Sequence, residues 1–261
     1  PHEMVDLRDA AGRMLAKPLA ATRSQPPFAA SSMDGYAVKG VEADLYAQFK
    51  VVGEAAAGHS WKGIIKAGHA VRIFTGAPVP DGVDKVIIQE NVEKSGSVIT
   101  VIDSSNLKSN IRPAGVDFEQ GQILLTPPCC LSSGDIALLA AMNHATVPVI
   151  KKPVIALIAT GDELVMPGES PHQDQIIASN NFGLAAMFEA MGATVRVLPI
   201  ARDTNSSLKS VFKLTAGADL IITIGGASVG DHDLVENVAA ELGMQQAFYK
   251  VAMRPGKPLM A

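Results

Sequence analysis

Leu220-Ile221-Ile222-Thr223-Ile224-Gly225-Gly226-Ala227-Ser228-Val229-Gly230-Asp231-His232-Asp233 is an apolar, β-branched run that stops at a segment of glycines, a hydroxyl and acids. The run predicts a strand, and the spacing of Leu234–Leu242 after it predicts a helix. The same alternation extends outward in both directions. Val154–Ala159 is continuously apolar, as suits a strand buried on both faces. Asn181–Ala190 has helical spacing and ends at Gly192. Val195–Leu198 then reads as a strand, Ser206–Thr215 as a helix and Ala247–Ala252 as a last strand. Strands alternating with helices at this spacing predict βαβ units and a parallel sheet.

In open parallel sheets ligands bind beyond the carboxyl ends of the strands, so the residues that follow each strand carry the chemistry. They are Thr160-Gly161-Asp162-Glu163, Arg202-Asp203, Gly225–Asp233 and Arg254-Pro255-Gly256-Lys257-Pro258. Glycines before a helix let backbone N–H groups approach a phosphate. A tight turn would need the glycines but neither Ser228 nor Asp233. Glu163, Asp203 and Asp233 are expected to converge as three carboxylates. With a polyanionic ligand they would suit Mg²⁺, which takes one or two carboxylates plus phosphate oxygens. N-capping of the following helices is the plainer use of any one of them. Arg254 and Lys257 add local positive charge suited to a small oxyanion.

The first half has another texture. Phe49–Val52, Ala70–Phe74, Lys85–Val92 and Ser97–Ile102 are short β-like runs, and Lys94-Ser95-Gly96 reads as a hairpin turn. Gly134–Met142 is expected to be helical, with Ser132 and Asp135 as its capping box. On chemistry alone, Met33-Asp34-Gly35-Tyr36 and Thr75-Gly76-Ala77-Pro78 read as turns. The 261 residues suffice for one or two domains at ~150 residues each. A net charge of −4 argues against a protein built to bind nucleic-acid backbones. No apolar run approaches the ~18 residues of a spanning helix. The two cysteines, Cys129 and Cys130, are adjacent, which disfavours a disulfide and fits a reducing cytoplasm. The six histidines lack metal-ligand spacing, so zinc is not expected.

Pro26-Pro27-Phe28 followed by Ser32-Met33-Asp34-Gly35-Tyr36-Ala37-Val38 resembles the opening motif of the molybdopterin molybdenumtransferases, the bacterial molybdenum insertase and gephyrin E-domain family. Arg72–Pro80 resembles a second motif, and Asn110-Ile111-Arg112 with Gly115-Val116-Asp117 a third. Thr160–Leu164, Ser179-Asn180, Gly225–Asp233 and Pro255–Pro258 complete the series, in family order over nearly the whole chain.

The resemblance implies a multidomain α/β plus β protein. Residues 1–45 and 114–150 would form an elongated, discontinuous linker domain, and residues 46–113 an inserted small β domain. Residues 151–261 would form a three-layer α/β molybdopterin-binding domain with a mostly parallel sheet, cut short at its C-terminus. The family's leading helix and its C-terminal β domain would lie outside the 261 residues, leaving an open strand edge and a weakly active or unstable chain.

The implied activity inserts molybdenum from molybdate into adenylylated molybdopterin, with Mg²⁺-dependent cleavage and release of AMP. Catalytic roles fall to Glu163, Asp203, Asp233, Lys257, Asp34 and Thr75, with Asp203 and Asp233 at the metal. Ligand contacts fall to Gly161, Asp162, Asn180, Gly225, Gly226, Ser228, Gly230, Arg254, Pro255, Gly256 and Lys257. The resemblance implies a cytoplasmic homodimer with a shared site, Asp34 and Thr75 coming from the partner subunit. A molybdopterin adenylyltransferase is a further expected partner, and neither nucleic acid nor membrane is. Two positions depart from the family pattern: Arg254 stands where Lys is usual, replacing a compact ammonium with a planar fork, and Ala29-Ala30 replaces a more polar pair. Two alternatives remain, the adenylyltransferase step itself and a non-catalytic gephyrin-like scaffold.

Overall fold

The computed structural model describes residues 1–105, 108–225, 234–257 and 259–261. They divide into two compact units, His2–Ile150 and Lys151–Ala261, the latter with Pro1.

In the first unit, β1 (His2–Asp6) pairs antiparallel with a strand at Thr146–Ile150. Between them runs a six-stranded sheet built from β2 (Gly35–Val38), β3 (Gln48–Ala55), β4 (His69–Ile73), β5 (Lys85–Ile88), β6 (Val92–Ser95) and β7 (Val98–Val101). Their spatial order is β5-β2-β4-β3-β7-β6, with only the β3–β4 pair parallel. Period-2 alternation buries both faces. Tyr36, Val38, Phe49, Ala70 and Ile99 pack on one side, and Ala37, Val71, Ile73 and Val86 on the other. The run Lys85–Val92 is not one strand, as its composition suggests: a 3-10 turn at Gln89–Asn91 breaks it and starts the β6–β7 hairpin. Met33–Tyr36 is more than a turn, because Gly35 opens β2. A Cβ on Gly35 would lie 2.0 Å from the Ile87 carbonyl oxygen, so only glycine lets β2 reach β5.

Helix α1 (Ser133–Ala141) starts where expected. Ser132 accepts from the Asp135 N–H while the Asp135 carboxylate accepts from the Ser132 N–H, closing the capping box. With β8 (Thr146–Ile150) it buries Leu139, Met142, Val147 and Val149 in a separate core.

The second unit follows the predicted alternation closely: β9 (Val154–Ala159), α2 (Asn180–Ala190), β10 (Thr194–Val197), α3 (Asn205–Lys213), β11 (Leu220–Ile224) and α4 (Leu234–Glu241). Among the described residues the sheet runs β10-β9-β11, all parallel. Ile155 and Leu157 of β9 pack with Ala185 of α2, whereas Ala156 and Ile158 pack with Leu208, Phe212 and Val238 of α3 and α4. The predicted strand at Ala247–Ala252 is the one clear miss. That segment turns back on the chain end instead, with a single bridge between Tyr249 and Met260 and both the Ala247 and Phe248 N–H groups donating to the Ala261 carbonyl. An apolar sequence marks a strand but does not choose its partner.

Candidate functional site

Each unit contributes its own candidate region. In the second, the carboxyl ends of β9, β10 and β11 meet at Thr160, Ala201 and Gly225. The Thr160 N–H donates to the Ile224 carbonyl at 2.9 Å and the Gly161 N–H to the Ala201 carbonyl at 3.1 Å. Gly225 has φ +103°, and a Cβ there would stand 2.4 Å from the Thr160 carbonyl oxygen. The glycine therefore lets two strand ends close on each other before the chain enters the glycine-rich segment. Thr160 is only 3% exposed, and its Oγ1 lacks a hydrogen-bond partner among the described residues.

Arg202 organises the first loop, a role the sequence did not disclose. Its Nη1 donates to the carbonyls of Gly161 (3.2 Å), Asp162 (3.0 Å) and Leu164 (2.9 Å). One guanidinium nitrogen thus curls the loop that carries Asp162 and Glu163. The Asp162 Oδ1 accepts from the Asp203 N–H at 3.2 Å, tying this loop to the next. The Glu163 carboxylate folds over Gly161, where a Cβ would fall 2.3 Å from Oε2. Asp162, Glu163 and Asp203 are all exposed on these two linked loops. Thr204 rather than Asp203 caps α3, accepting from the Ser207 N–H. This leaves the Asp203 carboxylate without a hydrogen-bond or ionic partner among the described residues.

Gly226, Ser228, Gly230 and Asp233 lie outside the described residues, so the expected convergence of Asp233 with Glu163 and Asp203 does too. Among the described residues no three His, Cys, Asp or Glu side chains come close enough to hold a metal ion. The donors that are present, carboxylate oxygens on these two linked loops, are of the hard kind that Mg²⁺ takes alongside phosphate oxygens. Asn180, exposed, opens α2; its neighbour Asn181 is 1% exposed, and among the described residues both its amide atoms are unpartnered. Arg254, Pro255, Gly256 and Lys257 form an exposed turn, and Arg254 and Lys257 make no ion pair among the described residues.

In the first unit the structure brings Asp34 and Thr75 together. The Thr75 N–H donates to Asp34 Oδ1 at 2.8 Å and its hydroxyl to the same oxygen at 2.7 Å. These bonds hold the Asp34 carboxyl below the usual carboxylate range, the backbone donor counting most and the Arg72 charge adding to the effect. Asp34 Oδ2 keeps no partner among the described residues. Beside the pair opens a cleft of about 420 Å³ whose walls include Pro26, Phe28, Ser32, Thr75, Gly76 and Arg112. Arg112 reaches Asp117 at 2.6 Å, so two residues of one motif meet at its rim.

The second unit belongs to a class of molybdopterin-binding folds: residues 156–261 match the family described as "Probable molybdopterin binding domain". Residues 1–143 match "MoeA N-terminal region (domain I and II)". The chain belongs to the MoeA family. It is 36% identical over 263 residues to a molybdopterin molybdenumtransferase of Nostoc sp. (strain PCC 7120), covering 98% of this chain and 60% of that protein. The corresponding Haemophilus influenzae protein is 33% identical, covering 98% of this chain and 64% of its own length. The crystal structure of a molybdopterin biosynthesis MoeA protein from Pyrococcus horikosii superposes with a TM-score of 0.87 at 30% identity, covering 100% of this chain and 66% of that one. The chain thus spans less than two thirds of the length of these relatives. No helix among the described residues is long and apolar enough to cross a membrane.

Proposed function

We propose that the protein acts in molybdenum cofactor biosynthesis as a molybdopterin molybdenumtransferase. It takes adenylylated molybdopterin and molybdate, cleaves the adenylate and leaves molybdenum on the dithiolene sulfurs. The observation that carries this reading is the Asp34–Thr75 pair beside its cleft, in a chain matched end to end by molybdenumtransferases. Cleavage is scission of a phosphoanhydride: an oxygen of water bonds to phosphorus as the bridging P–O bond breaks, AMP leaves and a proton is released. A divalent ion such as Mg²⁺ would neutralise charge on the phosphate oxygens. Asp203 and Asp233 would hold it, with Glu163 beside them.

Arg254 and Lys257 meet the phosphate and molybdate charges, with Pro255 and Gly256 fixing their turn. Gly161, Asp162, Asn180, Gly225, Gly226, Ser228 and Gly230 would contact the pterin and its phosphates. Arg202 supports those contacts by holding the 161–164 loop curled. Asp34 stays ionised and offers Oδ2 to the reacting groups. In a homodimer the Asp34–Thr75 pair would come from the partner subunit and complete the site. The three-part organisation belongs to the same proposal: residues 46–113 as the small β domain, 1–45 and 114–150 as the linker domain, and 151–261 as a three-layer domain. The opposite packing of α2 against α3 and α4 on β9 supports the layers.

The test is AMP release from adenylylated molybdopterin in the presence of molybdate and Mg²⁺. Asp233→Asn is expected to lower the rate by at least a hundredfold, and an unchanged rate would remove Asp233 from the metal site. Formation of adenylylated molybdopterin from ATP would mark the protein as the adenylyltransferase, and binding without cleavage as a scaffold.

A further inference from the structure

We infer that Arg72, held by Gln89, is a positioning residue that fixes the backbone on both sides of the Asp34–Thr75 pair. The inference rests on the reading that Asp34 serves the reaction. Arg72 leaves β4 on the same sheet face as Tyr36, its cross-strand partner in β2. Its guanidinium lies over the Tyr36 ring at 5.0 Å from the centroid and over the Phe74 ring at 4.7 Å. Nη1 donates to the Gly35 carbonyl at 3.2 Å and Nη2 to Gln89 Oε1 at 2.6 Å. Gly35 is the residue after Asp34, and Phe74 is the residue before Thr75. One side chain therefore grips both segments that deliver the pair.

Gln89 closes the circuit. Its N–H donates to the Asp34 carbonyl at 3.0 Å, while its side-chain amide donates to Glu90 Oε1 at 3.2 Å. The Asp34 backbone is thus pinned from Gln89, the next residue from Arg72, and the carboxylate from Thr75. Arg72 makes no ion pair with Asp34. Had it done so, it would have occupied the carboxylate that the reaction needs free. Its fork goes instead to a carbonyl and an amide, and its faces to two rings. Its charge acts on Asp34 only at range. Lysine cannot reproduce this, because an ammonium is a compact charge without a planar face or a fixed fork.

The test compares Arg72→Lys and Gln89→Met with the parent protein by NMR, using ¹³C-labelled aspartate and amide hydrogen exchange. Both variants are expected to speed exchange of the Thr75 amide at least tenfold and to move the Asp34 Cγ titration upward, toward an ordinary aspartate. The amides of Ala70 and Val71 in β4 should keep their protection, which reports an intact sheet. Thr75 exchange and Asp34 titration unchanged in both variants would overturn the inference. If Arg72→Lys loses sheet protection, Gln89→Met decides alone, since Gln89 is exposed and carries no core packing. For AMP release, both variants should lower kcat more than tenfold with KM within twofold. A KM rise at unchanged kcat would contradict positioning. If Asp34→Asn leaves AMP release intact, the functional reading of Asp34 fails, while the exchange and titration results still decide the role of Arg72.

Discussion

Thr75 places both of its donors, N–H and hydroxyl, on one oxygen of Asp34 and leaves the other without a partner among the described residues. This asymmetry makes the carboxylate at once strongly held and available. It also fixes the sign of its pH dependence. The folded-state value lies below the unfolded one, so the pair's contribution is present above the ordinary aspartate range and is lost as pH falls through the lowered folded value. Thr75→Ala should raise the Asp34 titration midpoint, whereas Thr75→Ser, which keeps both donors, should leave it nearly unmoved. Carboxyl ¹³C titration reads the difference, and equal midpoints in all three proteins would refute the hydroxyl's share in lowering Asp34, the backbone N–H being kept in each.

Two glycine substitutions should move stability in opposite directions. Gly35→Ala forces a Cβ into the Ile87 carbonyl, a backbone group that cannot turn aside, and should cost about 3 kcal/mol or more. Gly183 lies exposed in the body of α2 with nothing within 4 Å of its missing Cβ. Gly183→Ala should therefore stabilise by about 0.5–1 kcal/mol through helix propensity. Denaturant midpoints at constant slope check both.

The α1 cap offers a local measurement. Ser132→Ala removes the hydroxyl from the capping box and should destabilise by about 1 kcal/mol. Asp135 sits below the usual carboxylate range because the Ser132 hydroxyl and N–H both donate to it, so its contribution is lost as pH falls through that lowered value. The stability difference between parent and Ser132→Ala should accordingly shrink on acidification, and a gap constant from pH 7 to pH 2 would contradict the cap.

Arg202→Lys tests the loop at the sheet edge. A lysine brings one ammonium where the guanidinium reaches three carbonyls. Amide exchange across 161–164 should rise at least tenfold while β9 stays protected. Equal exchange would show that the loop holds its shape without Arg202.

What the sequence disclosed and what it withheld divide along physical lines. Val154–Ala159 was legible because a strand buried on both faces must be apolar throughout, Leu220–Ile224 because its β-branched run stops abruptly at glycines, and α1 because a capping box is written in residues three apart. Ala247–Ala252 misled because its apolar pattern is silent about which edge it joins. The break at Gln89–Asn91 was hidden inside a run apolar enough to pass as one strand. Asp34 and Thr75, 41 positions apart, read as separate turns on their own chemistry, and only the motif order suggested that they act together. Arg72 and Arg202 were missed for the same reason. An arginine's part depends on which distant carbonyls and rings the fold brings to it, and for Arg202 these lie 38–41 residues away. Asn181 was hidden by its exposed neighbour Asn180, since which of two adjacent asparagines turns inward is set by the helix phase.

We propose that this chain's site cleaves adenylylated molybdopterin and loads molybdenum. The most direct measurement incubates the protein with adenylylated molybdopterin, molybdate and Mg²⁺, and counts AMP released against molybdenum retained on the pterin. Equal amounts of the two are expected, with release that stops on chelation of Mg²⁺ and a rate at least a hundredfold lower in Asp34→Asn. AMP release no faster than in the absence of protein, with no molybdenum on the pterin, would contradict the proposal.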